Sequence, residues 1–137
     1  MKVPDEGQQG DRLRRAPVER FAGNAHAFDL AGLLSQLRAE KHPSQNGHRQ
    51  ITILHRASAA HVLFAFEPSG KLERHQAQGE VTIHVLEGRL MVAADGRDHD
   101  LRAGHVLMLS AGVPHDVRAA ESSAMLLTVF MPTDAEG

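Results

Sequence analysis

From Arg49 onward the sequence is a series of short apolar runs separated by glycine turns, and this pattern constrains the fold more than any other feature. The runs, which include QITILHR, HVLFAFE, VTIHVLE and RLMVAA, are rich in Val, Ile, Leu and Phe. Turn residues lie between the runs, among them Pro68-Ser69-Gly70, Glu87-Gly88, Asp95-Gly96 and Ala103-Gly104. Many short strands at regular spacing, with no helical segments between them, are typical of an antiparallel sandwich or barrel. The pattern therefore predicts an all-β fold.

One helix is predicted before the first strand. Apolar residues recur at helical spacing and form one stripe: Phe28, Leu30, Leu33, Leu34 and Leu37. Asp29 is suited to the N-cap position, and Lys41, His42 and Pro43 provide a stop, so the helix is expected over about residues 28–40. Three turns of helix are not stable alone in water, and the stripe is therefore expected to pack on one end of the barrel or on a second copy of the chain.

The length of 137 residues is sufficient for one domain with its own core. Residues 1–24 consist mainly of Gly, Gln and charged residues and are predicted to be a flexible N-terminal arm. Residues 25–48 are assigned to the helix and a linker, residues 49–132 to the barrel and residues 133–137 to a short tail. No internal repeat subdivides the chain further.

The composition excludes several classes of function. A net charge of −2 argues against a protein that binds nucleic acid or an anionic membrane surface. No apolar run approaches the roughly 18 residues of a membrane helix, and the N-terminus has no apolar signal core, so a cytoplasmic location is expected. The chain has no cysteine and therefore no thiolate ligand, and it contains neither a G-x-S-x-G elbow nor a phosphate-binding loop. The ten histidines are thus the main source of possible chemistry.

Two stretches of the chain, residues 70–88 and 104–119, resemble the two sequence motifs of the cupin superfamily. Gly104, Gly112 and His115 match positions of the second motif, and His75 and Gly88 match positions of the first. The resemblance extends over roughly residues 51–130. It implies a small, single-domain, RmlC-like cupin, in which the strands form a jelly-roll barrel and one helix precedes them.

The resemblance also implies a divalent metal that three histidines and one glutamate hold inside the barrel. His75 occupies the position of the first histidine and His115 that of the last. Ala77 and Val81 occupy the other two ligand positions, so the first motif is degenerate. Two imidazoles alone hold a divalent ion poorly, because catalytic metal sites usually have three protein ligands.

His84 is the candidate for a third ligand. Side chains alternate between the two faces of a strand, so in an unbroken strand His84 points away from the face that carries His75. A β-bulge at Gly79 would reverse this phase and bring His84 to the pair. The predicted metal site is therefore His75, His115 and His84, which would suit Zn, Fe, Ni or Cu; without the bulge, His84 lies on an outer or interface face.

Three functions remain open at this point. The first is a cupin-domain protein that binds a divalent metal, a small molecule or both inside the barrel, with no defined reaction. The second is a metal-dependent enzyme such as a small dioxygenase, and the third is a metal-free structural or regulatory module. Residues expected to face inward are apolar, which favours a small, partly apolar ligand: Phe64, Val92, Met108, Val117 and Leu127.

The expected partners are a small-molecule ligand and a second copy of the chain. A two-sheet barrel of this size has open sheet edges unless another segment covers them. The resemblance to cupins implies a homodimer, formed by sheet packing or strand exchange. The absence of tyrosine argues against the sugar isomerases and epimerases that share this barrel.

Overall fold

The computed structural model describes residues 23–132, and the expectations for the N-terminal arm up to residue 22 and for the tail 133–137 lie outside the described residues. The described chain consists of one helix followed by nine strands. The helix α1 spans Leu30–Arg38. The strands are β1 His48–His55, β2 Ala59–Phe66, β3 Lys71–His75, β4 Val81–Glu87, β5 Arg89–Ala94, β6 Arg97–Arg102, β7 Val106–Leu109, β8 His115–Ala119 and β9 Ser123–Phe130.

The strands form two sheets, in which every pairing is antiparallel. The five-stranded sheet has the order β1-β2-β9-β4-β7, and the four-stranded sheet has the order β3-β8-β5-β6. The inner faces of the sheets enclose an apolar core, whose most buried members include Ile83, Val85, Val92 and Val117. This arrangement confirms the all-β jelly-roll barrel that the sequence predicted.

Helix α1 packs on the outer face of the five-stranded sheet. The Asp29 carboxylate caps it and accepts a hydrogen bond from the backbone N–H of Gly32 at 3.0 Å, which confirms the predicted N-cap. Leu34 and Leu37 are buried in a second apolar cluster with Leu63 and Ile51 of the sheet. The stripe therefore packs on its own chain through Leu34 and Leu37, with Leu30 and Leu33 partly buried beside them, whereas Phe28 is exposed. No helix in residues 23–132 is long and apolar enough to cross a membrane.

The short strand β7 has the opposite phase from the one expected. Leu107 and Leu109 pair with the buried Ile83 and Val81 and pack on the inner core, whereas Met108 lies on the outer face with 67% of its surface exposed. The expectation that Met108 faces the barrel interior was therefore wrong. All four residues of β7 are apolar, so its sequence fits either phase equally well. The register with β4 therefore decides which side chains point inward.

Backbone hydrogen bonds join the edges of the two sheets where β1 and β3 begin. The N–H of Lys71 donates to the carbonyl of Asn46 at 2.9 Å, which joins the two sheets. The N–H of Glu67 donates to the carbonyl of Gly47 at 2.8 Å and extends the β1–β2 pairing within the five-stranded sheet. His48 Nδ1 also bonds to the Lys71 carbonyl, at 2.9 Å. A Cβ on Gly70 would lie within 3 Å of backbone atoms of Gly47, so only glycine fits this contact. The junction fixes the position of β3, which carries one half of the candidate site.

Candidate functional site

His75 and His115 face each other across neighbouring strands of the four-stranded sheet. They are cross-strand partners at one end of the β3–β8 pairing. Their ring centroids are 4.3 Å apart, and the ring planes are inclined by 58°. His115 shares the inner face of β8 with the buried residues Val117 and Ala119. The structure thus brings together the two histidines at the matching motif positions.

A β-bulge in β3 aligns His75 with its partner. Leu72 pairs with Val117 and His75 pairs with His115, so β3 has one extra residue between these two pairs. Without this residue, strand alternation would place Arg74 opposite His115 and direct His75 to the other face. The sequence does not reveal this bulge, because no glycine marks it. It lies before His75 and not at Gly79.

Each imidazole is fixed by a backbone carbonyl two residues before it. His75 Nδ1 lies 2.8 Å from the Glu73 carbonyl oxygen, and His115 Nδ1 lies 3.0 Å from that of Val113. A carbonyl only accepts, so both Nδ1 atoms carry a proton, and in the neutral form of each ring the Nε2 atom presents a lone pair. Within residues 23–132, neither Nε2 has a hydrogen-bond partner. Histidines that bind metals are oriented in this way.

Burial keeps the inner ring of the pair neutral. His115 is 1% exposed, and its burial lowers its pKa below the ordinary histidine value of 6.5. The hydrogen bond to Val113 opposes this shift, and the nearby His75 reinforces it. His75 itself is exposed. The pair therefore combines a buried, neutral imidazole with one at the surface, from which a ligand could approach.

The lowered pKa of His115 predicts a pH-dependent stability. Below about pH 6.5 the unfolded chain takes up the proton more readily than the folded chain, so the free energy of unfolding should decrease as the pH falls through the folded-state pKa. Above that range both states are neutral at this residue and the effect vanishes. Denaturant unfolding at pH 7.5 and pH 5.0, in a buffer with a metal chelator, measures the loss.

The control for this experiment is His115→Gln, which retains a polar side chain but does not titrate. The variant should lose less stability between the two pH values than the wild type. Equal losses in the two proteins would contradict the role assigned to burial of this imidazole.

The surroundings of the pair are mainly apolar. Ala94 is the second cross-strand neighbour of His115, and Ala77 and Val113 pack against the inner core nearby. The adjacent charges, Arg74 and Asp116, are 3.3 Å apart and bond to each other. A molecule at the pair would thus meet two ring nitrogens, hydrocarbon on the core side and the Arg74–Asp116 ion pair nearby.

The structure does not bring His84 to this pair. Strand β4 begins at Val81, and Val81, Ile83 and Val85 all face the inner core. Because side chains alternate, His84 lies on the outer face of the five-stranded sheet, opposite Val106 of β7. The bulge at Gly79 that would have reversed this phase is not formed. The expected three-imidazole site of His75, His115 and His84 is therefore reduced to two histidines.

The residues present do not fit the four-ligand metal site that the cupin motifs imply. Ala77 and Val81 carry no donor atom, and the side chain of Val81 is buried in the apolar core. No group of three or more His, Cys, Asp or Glu side chains within residues 23–132 is arranged to hold a metal ion. The His75–His115 pair supplies two imidazole nitrogen donors, which is half of that ligand set.

Comparison with known proteins places this barrel among the cupins. The family model described as "Cupin domain" matches residues 62–131. A curated relative, the pyoverdine export ATP-binding/permease protein PvdT of Pseudomonas syringae pv. syringae, is 28% identical over 126 residues. This match covers 82% of the present chain but only 19% of that relative's length.

Solved structures with the same fold are distant in sequence. A conserved protein of unknown function from Streptococcus pyogenes matches with a TM-score of 0.64 and 22% identity, over 82% of this chain and 92% of its own. An RmlC-like cupin from Shewanella frigidimarina matches with a TM-score of 0.61 and 17% identity, over 68% of this chain and 84% of its own. At these identities the likeness shows the fold alone.

Proposed function

Since the chain belongs to the cupin domain family, we propose that it is a binding module that takes a small molecule inside its barrel at the His75–His115 pair. One observation carries this proposal: both Nδ1 atoms are held by backbone carbonyls, which leaves two Nε2 lone pairs without a partner among the described residues. Because His75 is exposed, a molecule from solvent can reach these nitrogens.

The chemistry of the pair defines the class of ligand. Two neutral imidazole nitrogens accept hydrogen bonds from hydroxyl or N–H donors, and the apolar surroundings favour a partly apolar molecule. The same nitrogens are good donors to Zn, Ni, Cu or Fe. Two protein ligands leave most of the coordination sphere open, so a divalent ion would be held firmly only when the small molecule chelates it as well.

A metal-dependent enzyme is the weaker alternative. It would need at least a third protein ligand, and His84 does not reach the pair because it lies on the outer face of β4. The other two ligand positions of the family motif are occupied by apolar residues in this chain, Ala77 and Val81. The proposal is therefore limited to binding and assigns no reaction.

Calorimetric titration with Ni²⁺, alone and with one equivalent of picolinate, tests the metal-dependent form of this binding. We expect Ni²⁺ alone to bind weakly and the picolinate chelate to bind at least about 10-fold more tightly, because the chelate completes the coordination sphere. His75→Ala and His115→Ala should each reduce chelate binding about 10-fold or more. His84→Ala is the matched control and should leave it unchanged.

A second arm tests binding without a metal. Ligand-observed NMR with a set of small phenols and amides, in chelator-treated buffer, should detect binding that His115→Ala abolishes. The proposal fails if neither the nickel probes nor these compounds bind, or if binding persists in both histidine variants. Tight binding of Ni²⁺ alone at one equivalent would instead indicate a complete metal site and contradict the two-ligand arrangement.

A further inference from the structure

Strand β7 forms an open edge of the five-stranded sheet. It is the last strand in the sheet order, and β4 is its one partner among the described strands. Val85 exchanges backbone hydrogen bonds with the turn before β7, donating to the His105 carbonyl and accepting from the Gly104 N–H, both at 2.9 Å. Because bonded and non-bonded residues alternate along an antiparallel ladder, the N–H and C=O groups of Val106 and Met108 point away from β4. These groups are available to another strand.

The β7 edge lacks the charges that normally protect an open strand. Residues 104–115 contain no Asp, Glu, Lys or Arg. Of the other three edge strands, β3 has the sequence KLERH and β6 has the sequence RDHDLR, while β1 carries Arg49 and is in contact with helix α1. Natural proteins keep edge strands from pairing by charge, by proline, by covering them or by keeping them short. Within the described chain β7 has only the last of these protections, its length of four residues.

The outer side chains of β7 are apolar and exposed. Val106 is 54% exposed and Met108 is 67% exposed, the two highest values among the large hydrophobic residues that the structure describes as exposed. Their neighbours on β4 are His84 and Thr82, which carry no carboxylate or fixed positive charge. Exposed apolar side chains at an unpaired edge are a typical site for strand addition.

We propose that β7 pairs in antiparallel orientation with β7 of a second copy of the chain, which joins two five-stranded sheets across a twofold axis. Only residues whose N–H and C=O groups face the edge can form bonded pairs. The register that pairs Val106 with Met108 forms two bonded pairs within β7, whereas a register centred on either residue forms only one. Met108 then lies opposite Val106 of the partner subunit, and Leu107 lies on the axis. Each of the two bonded pairs exchanges both of its hydrogen bonds.

The charge distribution selects a second copy as the occupant. An uncharged edge with exposed apolar side chains is complementary to itself, because the twofold axis places the Val106 and Met108 side chains against each other and brings no like charges together. A charged peptide segment would find no opposite charge along residues 104–115. The leucine stripe of α1 does not compete for this role, since Leu34 and Leu37 are buried against their own sheet.

Sedimentation equilibrium of the full chain tests the pairing. The wild type should be dimeric, and Met108→Lys should weaken the dimer at least about 10-fold, because it places two lysines beside the twofold axis. Met91→Lys is the matched control: Met91 lies on the outer face of β5, a strand with neighbours on both sides, and its replacement should leave the dimer intact. A monomeric wild type, or a dimer that Met108→Lys does not weaken, would overturn the proposal.

Cross-linking identifies the interface directly. The chain has no cysteine, so a single Met108→Cys substitution introduces the one thiol of each copy. A short bismaleimide should join Met108→Cys chains into covalent dimers with high yield and should join Met91→Cys chains much less efficiently. Equal yields from the two variants would show that the copies meet elsewhere or only by diffusion, and would reject the β7 interface. This inference is independent of whether the histidine pair binds a ligand.

Discussion

Replacement of Gly79 by alanine is expected to destabilise the barrel by about 3 kcal/mol or more, through overpacking that the surroundings cannot relieve. A Cβ at this position would lie 1.8 Å from the carbonyl oxygen and 2.8 Å from the carbonyl carbon of Phe130. Both atoms belong to the backbone, which is held in place because the Phe130 N–H donates to the Glu80 carbonyl at 2.9 Å. The methyl group could be accommodated only by separating the segment before β4 from the end of β9.

Denaturant unfolding of Gly79→Ala beside Gly96→Ala measures this effect. Gly96 has a positive φ of 80°, but a Cβ there would have nothing within 4 Å, so its replacement should cost only the backbone strain of about 1–2 kcal/mol. The difference between the two variants isolates the steric clash. Equal destabilisation would show that the close approach at Phe130 is not as described.

Replacement of Leu37 by aspartate is expected to remove about 4 kcal/mol of stability. The substitution leaves a cavity and places an unpaired carboxylate in an apolar cluster, since Leu37 is 2% exposed and packs between α1 and the five-stranded sheet. Ser35→Asp is the control, because Ser35 is exposed on the same helix and should tolerate the charge with a change of at most about 0.5 kcal/mol. Thermal melting followed by circular dichroism reports both variants.

The same experiment separates two roles for the leucine stripe. If α1 formed an interface between copies, Leu37→Asp would change the sedimentation behaviour while the melting of the single chain stayed close to that of the wild type. The packing of α1 on its own sheet predicts the opposite, with a large loss of stability. An unchanged melting temperature would contradict the described position of the helix.

Most of the fold could be predicted from the sequence because it follows from local signals. Short apolar runs predicted the strands, glycine turns marked their ends, and Asp29 was identified as the N-cap of the helix. The phase of β7 could not be obtained in this way. Its sequence, VLML, is apolar at every position, so only the pairing of Leu107 with Ile83 and Leu109 with Val81 shows that Met108 faces outward.

The candidate site was only partly predictable. The motif positions identified His75 and His115, and the structure brings both to one place. The sequence did not show how His75 comes to face His115. The bulge between Leu72 and His75 causes this, and it depends on pairing with β8 and leaves no sequence signal. For His84 the sequence left two faces open: alternation with Ile83 and Val85 places it outside, as in the structure, and only a bulge at Gly79 would have reversed this.

The central position of the last strand has a consequence for how the chain reaches its structure. β9 lies between β2 and β4, and its contacts join residues 59–66 and 81–87 to residues 123–130. Until β9 is present, the β1–β2 pair and the β4–β7 pair have no common partner. The five-stranded sheet therefore cannot form while the earlier strands alone have been synthesised. Folding therefore waits for synthesis of the final strand and requires closure of long loops, which makes it slow for a chain of this size. During that interval the segment 104–115 is without its final neighbours, and its lack of charge leaves it without the feature that most opposes aggregation of an exposed strand.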